Sequence, residues 1–188
     1  FCRFLLSTER MAQSTRVRLT MIQLSEPLNI RLASQDDVDT LVAFNAVMAL
    51  ETECRRLDLA RLRKGVEAVL TARTQGFYLV AEFSKVDGHR VVGQLLITYE
   101  WSDWRNGLFW WIQSVYVVPD QRRKGIFRAM HHYILAKAKS DPQVCGLRLY
   151  VEQKNDRAQT VYQHVGLSPS VYAVYEQDFV LGRPESEK

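Results

Sequence analysis

Arg122, Arg123 and Lys124 stand directly before Gly125 and the apolar pair Ile126-Phe127. They lie within Val115-Tyr-Val-Val-Pro-Asp-Gln-Arg-Arg-Lys-Gly-Ile-Phe-Arg-Ala129, where an apolar strand-like run ends at Pro119 and a helical pattern follows. That arrangement suits phosphate. The first N–H groups of a helix lack intrahelical acceptors, and the helix dipole adds positive potential at the same end. Gly125 allows a ligand close to the backbone, and Arg122, Arg123 and Lys124 would offset phosphate charge. The plainer reading is a solvated basic turn. It is not a nucleoside-triphosphate loop, because neither G-x-x-x-x-G-K-[ST] nor G-x-G-x-x-G occurs in the chain.

The elements that must position this bend can be read from periodicity. Residues 28–33 alternate apolar and polar side chains, as a half-buried strand does. Ser34-Gln-Asp-Asp37 then has the form of a capping box opening a helix to about Ala49. Residues 59–73 form a second helical pattern, stopped by Gly76. Residues 77–83 and 91–101 read as a hairpin around Lys85-Val-Asp-Gly88, and residues 108–118 as a third strand. Residues 120–141 are predicted helical, with Ile126, Met130 and Ile134 at i, i+4 and i+8. A short strand over 147–151, an asparagine-led helix over 155–165 ending at Gly166, and a last strand over 171–180 complete the order. Three consecutive strands imply antiparallel pairing, and the later strand–helix–strand steps imply a parallel crossover. The class is α/β.

The chain has 188 residues, enough for one domain, which we place at 26–181 with a loose tail over 182–188. Lys plus Arg number 25 against 21 acids, a net charge of +4. So small an excess favours anionic ligands but falls short of a nucleic-acid-binding domain, so no nucleic-acid partner is expected. Cys2, Cys54 and Cys145 form no C-x-x-C pair, which argues against a disulfide scaffold or a zinc site and for a reducing, cytoplasmic setting. His131 and His132 lack a third ligand at metal spacing, so no metal is expected. No apolar run reaches the roughly 18–20 residues that span a bilayer, and no membrane partner is expected. Residues 1–25 carry Arg3, Arg10, Arg16 and Arg18 against Glu9 alone. They read as an extension outside the core, either a transit peptide or an upstream leader, with Met11 and Met21 as alternative starts.

The bend and the later helix together resemble the GNAT superfamily of N-acetyltransferases. Arg122-Arg-Lys-Gly125-Ile-Phe127 is similar to the family's R/Q-x-x-G-x-G/A turn, and Asn155-Asp-Arg-Ala158-Gln-Thr-Val-Tyr162-Gln-His-Val-Gly166-Leu to its asparagine-led helix. The resemblance spans residues 28–180. It implies a mixed, mostly antiparallel sheet of six or seven strands with a splayed central pair, flanked by about four helices. It also implies acetyl-CoA as co-substrate and a small-molecule or peptide amine as acceptor, with direct transfer in a ternary complex. Amides from Arg123 through Gly125, Ile126 and Phe127 to Arg128 would hold the pyrophosphate. Val115 and Val117 would pair with the pantetheine, the Val117 amide facing the thioester oxygen, beside a bulge that opens the slot. Asn155 would cap its helix and could also touch the cofactor. Phe127 departs from the usual Gly or Ala, and must point into the core for the pyrophosphate to fit.

Within that resemblance Tyr162 is the catalytic candidate, since a phenol near 10 can protonate a thiolate leaving group near 8.5. A tyrosine packed on a buried helix face is the plainer alternative. The base is open: Gln113 stands where relatives place a glutamate, leaving Glu100, Glu51, Glu53 or water. Trp101, Trp104, Trp110 and Trp111 could line an acceptor pocket or form an interface, core packing of those on the inward face being the plainer alternative. A non-catalytic acyl-CoA-binding module with the same fold is the rival reading, and dimerisation is left open.

Overall fold

The structure is a computed structural model that describes residues 27–85 and 88–181. The expected extension over 1–25, the tail over 182–188 and the middle of the 85–88 turn lie outside the described residues.

The strands are β1 (Leu28–Leu32), β2 (Gly76–Lys85), β3 (Gly88–Ser102), β4 (Gly107–Val117) and β5 (Val144–Leu149). They lie in sequence order in one sheet. The first four pair antiparallel, and β5 joins β4 in parallel after a helical crossover. The helices are α1 (Val38–Glu53), α2 (Leu59–Thr71), α3 (Ile126–Ser140) and α4 (Asp156–His164). Because side chains alternate across a strand, one sheet face collects Leu79, Leu95, Ile97 and Ile112 against Ile126, Met130 and Ile134 of α3. The other face packs Tyr78 and Val80 against Val38, Leu41 and Val42 of α1 and Val66 of α2.

Two expectations are corrected. Residues 171–180 form no strand, so the sheet has five strands among the described residues rather than six or seven. Alternation alone does not make a strand, which needs a partner ladder. Here the Asp178 carboxylate accepts from the Val180 and Leu181 N–H groups in a local turn, and the Leu181 carbonyl accepts from Arg55. The helix expected from residue 120 starts at Ile126 instead. Arg123 at φ +66° and Gly125 at φ +84° are left-handed, a conformation a right-handed helix cannot contain.

Gly146 shows how tightly β5 sits against β4. A Cβ there would lie 2.6 Å from Cε1 of Phe109, whose ring also carries the guanidinium of Arg148, two residues along β5, 3.6 Å from its centroid. Gly146→Ala therefore overpacks a ring held in place and is expected to destabilise the fold by about 1–3 kcal/mol. Urea denaturation measures this, and an unchanged midpoint refutes it.

Candidate functional site

β4 and β5 part company at a defined place. Their pairing runs from Leu108↔Val144 to Ile112↔Leu149 and stops, while β4 continues to Val117. On its other side β4 shifts register against β3: Leu95 faces Val115 and Ile97 faces Ile112. Three steps on β4 thus match two on β3. The extra residue is a bulge over Gln113-Ser114, which bends β4 where β5 leaves it.

Antiparallel pairs alternate between hydrogen-bonded and non-hydrogen-bonded. The Val118 N–H donates to the Val92 carbonyl at 3.0 Å, which fixes the phase. Val117↔Gly93 and Val115↔Leu95 are then the non-bonded pairs, so the N–H and C=O groups of Val115 and Val117 point away from β3, into the gap. The Val117 carbonyl confirms the direction, since it accepts from Nε of Arg122 at 2.8 Å rather than from β3.

The gap opens onto the basic bend. The chain passes from a short 3-10 turn over Pro119–Gln121 through Arg122 to the left-handed Arg123 and Gly125, and Gly125 is the residue before α3. None of the N–H groups from Arg123 to Arg128 has a hydrogen-bond acceptor among the described residues. A Cβ built on Gly125 meets nothing within 4 Å, so the space over the bend is open. Arg123, Lys124 and Arg128 are exposed there, Lys124 within 3.3 Å of the Gln121 amide oxygen. Ile126 sends its side chain into the core, leaving only its amide to the bend.

Arg122 is engaged within the protein itself. Its guanidinium lies back across β4, 5.4 Å from the Tyr116 ring centroid, and meets the Glu51 carboxylate at 2.6 Å. Phe127 is half-buried against the α3-side core and does not cover the bend. Its ring meets Tyr162 edge-on at 5.5 Å between centroids, and His131 at 6.0 Å. Tyr162 is thereby held beside the first turn of α3, directly after the bend. Burial raises its phenol above the ordinary value near 10, and its hydroxyl has no hydrogen-bond partner among the described residues. Asn155 caps α4, its Oδ1 accepting from the Ala158 N–H at 3.0 Å.

The carboxylates weighed as bases are all engaged. Glu100 accepts from Trp111 and, at 2.6 Å, from Arg148. Glu51 holds Arg122, and Glu53 lies 3.7 Å from Arg55. Gln113 donates to Thr98 at 2.9 Å and accepts from the Tyr150 hydroxyl at 2.5 Å. Tyr150 was missed from the sequence; partial desolvation pushes its phenol upward, with Glu176 and Glu53 adding to the shift. Of the tryptophans, Trp110 is in the core and Trp111 half-buried, while Trp101 and Trp104 are exposed.

A strand edge splayed from its neighbour, running into a helix-capping bend, is the arrangement the sequence resemblance called for. The sequence profile of the acetyltransferase (GNAT) family matches residues 43–167. The chain belongs to the GNAT family of acetyltransferases. The GNAT chain is 44% identical to a protein described as a possible acetyltransferase from Clostridium difficile 630, over 81% of this chain and 98% of that one, with a TM-score of 0.73. It shares its fold with a ribosomal-protein-alanine N-acetyltransferase from Brucella melitensis biovar Abortus 2308, at 20% identity, 81% and 100% coverage and a TM-score of 0.62. It also shares the fold of AAC(6')-Iy, solved with the bisubstrate analog CoA-S-monomethyl-acetylneamine, at 14% identity, 81% and 98% coverage and a TM-score of 0.64. No curated protein matches the sequence. Acyl transfer is the chemistry of the family to which the chain belongs. Among the described residues no helix is long and apolar enough to cross a membrane.

Proposed function

We propose that this acetyltransferase moves the acetyl group of acetyl-CoA directly onto a primary amine while both substrates are bound. The observation that carries the reading is the gap beside β4, with the backbone groups of Val115 and Val117 turned into it and the basic bend at its end. An extended pantetheine arm can take those groups as a strand would, and the free amides of the bend can take the diphosphate. Occupying the gap as an added strand displaces the Arg122 side chain from the Val117 carbonyl and frees it, with Arg123, Lys124 and Arg128, for the cofactor's phosphates.

The reaction then proceeds without a covalent enzyme intermediate. The acceptor nitrogen attacks the thioester carbonyl, forming the C–N bond, and the oxygen gathers negative charge opposite the Val117 N–H. The C–S bond breaks as Tyr162 gives its proton to sulfur. The new amide nitrogen loses a proton, which restores Tyr162. Holding both reactants in one slot supplies much of the acceleration.

The engagement of Glu51, Glu53 and Glu100 favours an acceptor amine that reaches the site already neutral or sheds its proton through water. The same engagement is what favours the rival, a CoA-binding module without turnover. Release of free thiol from acetyl-CoA, measured against polyamines, amino acids, aminoglycosides and peptides, decides between them. Acceptor-dependent release above the hydrolysis background is expected; cofactor binding with no release on any amine refutes the catalytic reading.

A further inference from the structure

A second hollow lies at the other end of α3. The bend caps the N-terminus of α3 at Ile126, whereas this hollow is walled by Lys137 and Asp141 at its C-terminal end, about 16–22 Å along the axis. Its volume is about 430 Å³, within the size range of small-molecule sites. Besides α3, its lining draws Leu32 from β1, Arg73 from the turn after α2, Phe77 from β2, Tyr99 from β3 and Trp110 from β4. None of these residues belongs to the acyl-transfer site.

The lining has two parts with different chemistry. The floor is aromatic. Phe77 meets Trp110 edge-on at 5.1 Å, and Tyr99 leans on both at 6.3 and 6.4 Å. Phe77 and Trp110 are buried while Tyr99 is half-exposed, so one ring face of the cluster borders the opening. Two residues further along β3, on the same face, Trp101 is 59% exposed and extends the aromatic row outward. The rim is cationic. Arg73 and Lys137 are exposed, and neither forms an ion pair or side-chain hydrogen bond among the described residues. Asp141, the one acid of the lining, accepts from the Gln143 N–H at 2.9 Å. The Tyr99 hydroxyl also has no hydrogen-bond partner among the described residues, and it feels both Arg73 and Asp141.

A floor of rings below two unpaired cations is complementary to a flat ring carrying an anion. We infer that this hollow is a binding site for a small aromatic carboxylate, seated on Tyr99 with its carboxylate between Arg73 and Lys137. A planar ring gains offset or edge contact with the cluster, and the guanidinium of Arg73 can take a carboxylate with two parallel N–H donors. The Tyr99 hydroxyl supplies a third donor. An uncharged ring would leave both cations as they are and gain only the apolar contact.

The test uses the full chain and a matched pair of probes, naphthalene-2-acetate and naphthalene-2-acetamide, followed by calorimetric titration. The acid is expected to bind at least tenfold more tightly than the amide, and Arg73→Gln or Lys137→Gln to weaken the acid roughly tenfold each. Both side chains are exposed, so these variants keep the fold, and a wild-type urea midpoint verifies that. Arg123→Gln, at the opposite end of α3, is expected to leave the affinity unchanged. Absence of acid binding at millimolar concentration, equal affinity for acid and amide, or indifference to both rim substitutions overturns the proposal. An effect of Arg123→Gln equal to that of the rim variants assigns the probe to the bend and overturns it as well.

Discussion

Tyr162→Phe is expected to lower turnover about a hundredfold while leaving acetyl-CoA affinity unchanged, the loss typical when a positioned proton donor is removed. Phenylalanine keeps the edge contact with Phe127 that holds the ring, so the substitution removes the hydroxyl and little else. Alanine would be a poorer test, because it also empties a half-buried position. Burial pushes the Tyr162 phenol above its usual range, so the donor form persists through neutral and mildly alkaline pH. Proton transfer from a phenol at or above about 10 to a thiolate near 8.5 is uphill by about 2 kcal/mol. The ammonium created by the attacking amine is far more acidic, and its proton restores the phenol in the same passage. The pH profile follows from these signs. Turnover rises with pH as the acceptor amine deprotonates, and the wild-type enzyme shows no falling limb below about pH 10. Equal turnover in the Phe variant, or a falling limb near pH 8, removes Tyr162 from the acid role.

What could be read from the sequence is what lies in consecutive residues. The bend is one such case, because the apolar run to Val118, the cations, Gly125 and the α3 stripe follow each other without interruption. The Asn155 cap is another, since its acceptor partner is three residues away. The slot was expected only through the family resemblance and could not be read from the residues themselves. It depends on a bulge at Gln113-Ser114, and a bulge is a mismatch between two strands that neither strand carries alone. Glu100 shows the same limit: its partner Arg148 is 48 residues distant, and only the alignment of β3, β4 and β5 brings them together. The ion pair of Arg122 could not be read either, because Glu51 lies 71 residues earlier. Residues 171–180 failed in the opposite sense. Their alternation is real, yet Tyr172, Val174, Tyr175 and Phe179 stay exposed, and no strand among the described residues pairs with them.

The largest expected loss of stability comes from a residue no functional reading singled out. Arg31→Leu is expected to destabilise the fold by about 3 kcal/mol at pH 7, by stranding two buried carboxylates. Arg31 stands on β1 and reaches two elements at once. Its Nη1 and Nη2 meet Asp37 at 2.7 and 3.0 Å, and its Nε meets Glu82 on β2 at 3.0 Å. Asp37 is 5% exposed and Glu82 2% exposed, so each carboxylate relies mainly on protein partners rather than on water. Burial alone would raise both carboxyl groups, but Arg31 outweighs it, helped at Asp37 by Ser34 and at Glu82 by Asn29. Both therefore ionise below the ordinary carboxylate range. Groups with depressed values stabilise the fold above their unfolded values near 4, and that contribution is lost as pH falls through the lower folded values. The difference between wild type and Arg31→Leu should accordingly be full at pH 7 and shrink below about pH 4. Arg31→Lys keeps the charge without the fork that spans two carboxylates, and should lose an intermediate amount. Urea midpoints at pH 7 and pH 3 measure all three proteins, and equal midpoints at pH 7 refute the argument. The Asp37 carboxylate also accepts from the Ser34 N–H at 2.8 Å, in the turn that starts α1. The same guanidinium thus ties that turn to the sheet, and α1 carries Glu51 to Arg122 at the mouth of the slot.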